Sequence, residues 1–119
     1  MPHAENSRFK NILKMCIFEL MLTKSEILNK LSDLKPILHR EYSVRQIGLF
    51  GSFSNDSYTE DSDIDLLVEF ENNVSDLYTI KNKIREEIQN QFNRPVDICR
   101  EKYIKPIFKE QIISDTIYV

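Results

Sequence analysis

The sequence predicts an α+β fold in which helices pack on a small sheet. Apolar residues recur every three or four positions in four segments, three short β-rich runs lie among them, and capping residues, glycine and proline mark the junctions.

Phe9, Ile12, Leu13, Cys16, Ile17 and Leu20 share one helical stripe, so residues 1–22 are expected to hold an amphipathic helix ahead of a main domain over residues 23–119. That stripe could fold back on the domain or pair with a second copy of the chain as a homo-oligomer. Thr23 and Glu26 have capping-box spacing, in which the hydroxyl and the carboxylate satisfy backbone donors that a first helical turn leaves orphaned. The helix starting there is expected to reach about His39 and to bury Ile27, Leu28, Leu31, Leu34 and Leu38, with Pro36 a local irregularity. Residues 43–50 are β-rich and stop at Gly51-Ser52, a pair suited to a tight turn.

Residues 63–70 alternate, with Asp63, Asp65 and Leu67 on one face and Ile64, Leu66, Val68 and Phe70 on the other. Leu77, Ile80, Ile84 and Ile88 then sit at helical spacing in a segment that ends near Phe92, before the helix-breaking Arg94-Pro95. Lys81, Lys83 and Arg85 read as its solvated face. Residues 96–99 form a short strand, and a final helix from about Lys105 is expected to bury Ile107, Phe108 and Ile112.

With 119 residues, 41% hydrophobic and 29% charged, the chain has the make-up of one soluble domain. A net charge of -3 argues against a nucleic-acid partner held mainly through its phosphates. The apolar run at 15–22 contains Glu19, has no cleavage site after it and is shorter than the roughly 20 residues of a membrane span, so neither export nor a membrane is expected. Cys16 and Cys99 lack metal-ligand spacing and read as small buried hydrophobes in a reducing cytoplasm. His3 and His39 are isolated and read as surface residues, and Tyr58 packs at the core boundary, stacks on a base or accepts a nucleotide itself.

The chemistry lies in the acidic residues. Two carboxylates at i and i+2 on a strand project from one face about 6.5–7 Å apart at the backbone. A third from a neighbouring strand would complete an oxygen cage of the kind magnesium shares with substrate phosphates, and Asp63, Asp65 and Asp97 suit that arrangement. Two metals about 3.5–4 Å apart can activate a hydroxyl and stabilise a leaving pyrophosphate. Before them, Gly51 allows close backbone approach and Ser52 offers a hydroxyl and an amide to phosphate oxygens. The competing reading is a polar hairpin loop with Asp63 as a turn residue and a solvated strand edge, which leaves Asp65 unexplained.

The segment IGLFGSFSNDSYTEDSDIDLLVEF resembles the G-S-x10-D-x-D signature of minimal nucleotidyltransferases of the DNA polymerase beta superfamily. The resemblance continues through RPVDIC, where Asp97 takes the third acidic position, and covers residues 21–119; it is strongest to the antitoxins that pair with HEPN-domain toxins. It implies a palm-like mixed sheet flanked by helices, ATP as donor, magnesium (two ions) as cofactor, and AMP transfer to a tyrosine of the toxin, whose ribonuclease activity is thereby silenced. In that scheme Gly51 and Ser52 hold the donor's phosphates, Asp63 and Asp65 ligate both metals, and Asp97 completes one metal site and helps deprotonate the acceptor. The family commonly carries Arg-Gly where this chain has Asn55-Asp56, which should weaken nucleotide binding unless another basic residue compensates. The alternatives are an antitoxin that acts by binding alone and a small-molecule nucleotidyltransferase; the latter usually needs a further helical domain for its acceptor.

Overall fold

The computed structural model describes residues 22–119. The helix expected within residues 1–22, with Cys16 and His3, lies outside them, save Leu22, which packs against the core. The elements are α1 (Lys24–Tyr42), β1 (Val44–Phe50), β2 (Ile64–Phe70), α2 (Leu77–Phe92), β3 (Val96–Cys99), a 3-10 turn (Glu101–Tyr103), α3 (Pro106–Asp115) and β4 (Ile117–Tyr118). The strands form one sheet in the order β3-β2-β1-β4. β2 and β3 run parallel while β1 is antiparallel to both β2 and β4, so the sheet is mixed as expected.

The capping box forms at the start of α1, where Thr23 Oγ1 accepts from the Glu26 amide at 3.2 Å and donates to the Glu26 carboxylate. The helix runs through Pro36 and three residues past His39, ending where Ser43 turns left-handed (φ 59°) and its amide reaches back to the carbonyls of His39 and Leu38. Ile27, Leu31, Leu34 and Leu38 of α1 and Ile84 and Ile88 of α2 are buried in one core against Ile64, Leu66, Val68 and Phe70, the alternating face of β2. Tyr42 locks the two helices together by donating to Glu87 at 2.8 Å.

Leu67 shares the face of Asp63 and Asp65 and is 1% exposed, between Gly48 and Cys99 on the neighbouring strands, so an apolar residue follows the carboxylates on their face as expected. Two expectations change. The final helix buries none of its residues: Ile107 is 82% and Phe108 55% exposed. Its apolar residues at 107, 108, 112 and 113 are spread around the helix instead of lining one stripe, so no single rotation buries them.

The second change is β4, two residues paired with Gly48 and Leu49 at the β1 edge of the sheet. It is held by Val119 N–H to the Ile47 carbonyl at 3.1 Å and by Lys35 Nζ to the Val119 carbonyl at 2.6 Å. Gly48 makes room for it: a Cβ there would lie 2.5 Å from Thr116 Cγ2 and 2.9 Å from the Tyr118 ring. Gly48→Ala should therefore lift the terminal segment and cost about 1–3 kcal/mol, the usual range for overpacking. Urea denaturation reads the loss, and amide exchange at Tyr118 and Val119 should speed up; a variant as stable as wild type would contradict this packing.

Candidate active site

Strand register brings the acidic residues to one end of the sheet. Asp65 is the second residue of β2 and pairs with Asp97, the second residue of β3, while on its other side Asp65 faces Phe50, the last residue of β1. Asp63 immediately precedes β2 and is exposed, as is Asp97; Asp65 is half-buried.

Gly51 follows Phe50 and is left-handed (φ 76°), and the Asp65 carboxylate packs so closely on its Cα that a Cβ would collide with Oδ2 and lie 3.1 Å from Cγ. Either fact alone favours glycine. The turn tightens as the amides of Ser54 and Asn55 both donate to the Gly51 carbonyl at 3.1 Å and the Ser57 amide donates to the Ser52 carbonyl at 3.0 Å. Gly51, Ser52, Asp65 and Asp97 thus meet at one end of the sheet, with Asp63 beside them.

Half-burial and the gathering of like charge leave an electrostatic signature on Asp65. Burial, with Asp97 and Asp63 adding to it, pushes the Asp65 carboxyl up from 3.8 to about 6. Among the described residues no three acidic, histidine or cysteine side chains stand close enough to make a finished metal cage. The donor set nonetheless fits magnesium, which commonly takes one or two carboxylates and leaves its other positions to water and substrate phosphates. A carboxyl pushed up to about 6 by burial and then by its acidic neighbours is a group that a divalent cation would relieve.

The loop between Ser52 and Asp63 is built on Arg94. Its guanidinium donates to the carbonyls of Ser62 at 2.9 Å and Thr59 at 3.4 Å and lies 5.5 Å from the ring centre of Phe53. Phe53 is fully buried and stacks on Tyr58, with ring centres 4.6 Å apart and planes 17° from parallel. Tyr58 therefore packs, the first of the roles open to it. Asn55 caps the turn through Ser57, its Oδ1 accepting from that amide at 3.0 Å. Asp56 is left-handed (φ 65°), the conformation that a glycine adopts readily, and Lys24 reaches it from the first turn of α1 with Nζ 3.0 Å from Oδ1. The acidic residue in this loop thus has a basic partner, although the pair is too exposed to contribute more than about 1 kcal/mol.

Next to Asp65 and Asp97 opens a cleft of about 400 Å³ that also takes in Lys81, Cys99, Arg100 and residues of the 3-10 turn and α3. Burial, then Asp97, pushes the Cys99 thiol up, in keeping with a structural role. Lys81 was expected on a solvated face. Its helical phase says otherwise, since it follows Leu77 by four residues and precedes Ile84 by three, on the stripe that faces the sheet. A lysine on that stripe was the signal.

Residues 31–119 match the model of the nucleotidyltransferase domain family. A Methanocaldococcus jannaschii protein named "putative protein adenylyltransferase MJ1379" is 38% identical over 100 residues, which cover 83% of this chain and 100% of that protein. Protein adenylyltransferase MntA of Thermococcus cleftensis is 33% identical over 99 residues, 83% of this chain and 98% of that one. A chain in the solved complex of a tri-AMPylated Shewanella oneidensis HEPN toxin with an MNT antitoxin shares the fold at a TM-score of 0.55 and 17% identity, covering 81% of this chain and 71% of its own length.

Two outcomes test the site as described. Because the folded state holds the Asp65 proton more tightly than an unfolded chain does, the stabilisation from this group is complete below about pH 4 and lost as pH rises through about 6. Asp65→Asn should match wild type near pH 4 and exceed it above pH 7 by roughly 1–2 kcal/mol, the shift being discounted for partial exposure. Thermal melts without added metal decide it, and equal stability at pH 8 would remove the strain argument. Arg94→Ala should cost about 1–2 kcal/mol, as expected for losing charged donors to partly exposed carbonyls, and should speed amide exchange across residues 59–63; unchanged exchange there would show that the loop holds its shape without the guanidinium.

Proposed function

The chain belongs to the nucleotidyltransferase domain family and is an enzyme of that kind, and from this premise we propose that it is an antitoxin that transfers AMP from ATP to a tyrosine of a cognate HEPN-domain toxin. The pairing of Asp65 with Asp97 beside the Gly51-Ser52 turn carries the reading, because a tight turn suited to phosphate and paired carboxylates stand at one end of one sheet. The adenylyltransferase names of the relatives and the AMPylated toxin in the related complex support protein as the acceptor class. The catalytic domain is residues 23–119, acting in the cytoplasm without direct contact to nucleic acid or membrane; among the described residues no helix is long and apolar enough to cross one.

In this scheme Gly51 and Ser52 hold the donor's phosphates, with backbone amides and the serine hydroxyl as donors. Asp63, Asp65 and Asp97 would hold two magnesium ions, whose chemistry is to neutralise phosphate charge and ease loss of the acceptor's proton. The phenolic oxygen forms a bond to the α-phosphorus of ATP as the bond from that phosphorus to the bridging oxygen breaks. Pyrophosphate leaves with the electron pair, and the phenolic proton passes to Asp97. Lys24 offsets Asp56 beside the loop, so the charge at position 56 does not stand alone against a triphosphate.

Incubation with ATP labelled at the α-phosphate, magnesium and the cognate HEPN-domain protein should place label on a toxin tyrosine. Asp97→Asn should slow labelling roughly 10²–10⁴-fold, the range for losing a positioned proton acceptor, and Asp63→Asn with Asp65→Asn should abolish it. Absence of label with the wild-type chain would defeat the proposal.

A further inference from the structure

The cleft of about 400 Å³ beside the carboxylates is lined by Asp65, Asp97 and Phe50, and Gly51, Ser52 and Asp63 do not contribute to it. Phosphates resting on the turn would lie outside this cleft, whose own lining then decides what it takes.

Its lining is mixed. Tyr103, Ile104, Phe108 and Ile112 form an apolar wall, while three basic residues, Lys81, Arg100 and Lys105, stand at the same cleft. Part of this wall is exposed, Tyr103 of the 3-10 turn by 70% and Phe108 by 55%, and Ile107, next to Phe108 in the chain, is 82% exposed on a helix with no fully buried residue. Apolar residues gathered so openly beside reactive groups mark a surface that a partner covers. The volume is at the small end for ligand sites, enough for one aromatic side chain and some adjoining backbone. The chain is acidic overall, yet two lysines and Arg100 line this opening, which complements acidic residues on whatever enters.

We propose that the cleft between β3, the 3-10 turn and α3 is the acceptor subsite, taking a tyrosine side chain from an acidic segment of a separate folded protein whose surface also covers Ile107 and Phe108. This deepens the AMP-transfer reading above and rests on it. The tyrosine ring lies against Tyr103 and Phe108, its hydroxyl is directed to Asp97, and Lys81 and Lys105 select the flanking carboxylates. Lys81 and Phe108 are then specificity residues for protein acceptors.

The test is steady-state AMP transfer with ATP and the cognate HEPN-domain protein varied independently, in wild type, Phe108→Ser, Tyr103→Ser and Lys105→Glu. All three substitutions are at exposed positions, so folding is spared, and thermal melts verify it. Each variant should raise KM for the protein at least tenfold and leave KM for ATP within twofold. Partner binding by calorimetry, using Asp63→Asn with Asp65→Asn as the parent so that no transfer occurs, should weaken in parallel. A rise in KM for ATP instead would make the cleft a nucleobase pocket, and unchanged constants for both substrates would make it no subsite at all; either result overturns the proposal while AMP transfer stands. If the wild-type chain transfers no AMP to the protein, the underlying reading falls and this one with it.

Discussion

Asp65 and Asp97 sit opposite each other because β2 and β3 run parallel with Ile64 against Val96 and Leu66 against Ile98. Those four apolar side chains are 0–5% exposed, on the face turned to α1 and α2. Each is worth roughly 1.5–3 kcal/mol when buried, whereas like charges directly opposed across strands cost on the order of 0.2–1 kcal/mol. Burial on one face therefore outweighs repulsion on the other. A slip of one residue would expose the apolar set and drive the carboxylates into the core, so the register that builds the hydrophobic layer is also the one that assembles the acidic end.

The amino-acid sequence announces the parts of this molecule that repeat over several residues. Alternation in β2 and the stripes of α1 and α2 are long enough to fix element type and buried face, and Asp63 and Asp65 inherit their shared side from that alternation. Two residues cannot alternate convincingly, so Ile117 and Tyr118 carry no strand signal; the clue to β4 is Gly48, whose missing side chain makes sense only once the returning segment is seen. Ile107 and Phe108 mislead because apolar character does not distinguish a side chain that meets its own domain from one left outside. Arg94 is separated from Thr59 and Ser62 by more than 30 positions, and nothing local reports that the guanidinium closes their loop.

The segments around the acidic end differ in how they are held. The Ser52-to-Asp63 loop is pinned by Arg94, by the Phe53–Tyr58 stack and by the Ile64 amide, which donates to the Pro95 carbonyl at 2.9 Å, so β3 and the loop share one anchorage. The cleft beside the aspartates is lined in part by a three-residue turn and a helix with no fully buried residue. Segments with little buried apolar contact open at lower free energy than a core does. The loop that carries Ser52 is thus held more firmly than the helix that lines the cleft.

The contact between Gly51 and Asp65 bears on how the signature itself should be understood. Glycine and aspartate are 14 positions apart in the chain, yet in space the carboxylate occupies the volume that a side chain at 51 would need. They are two halves of one interlocking shape. An alanine at 51 would force the chain to surrender either its turn or its acid, so the glycine and the aspartate are constrained as a unit. What looks along the sequence like a turn motif followed by a metal motif is a single contact, written twice.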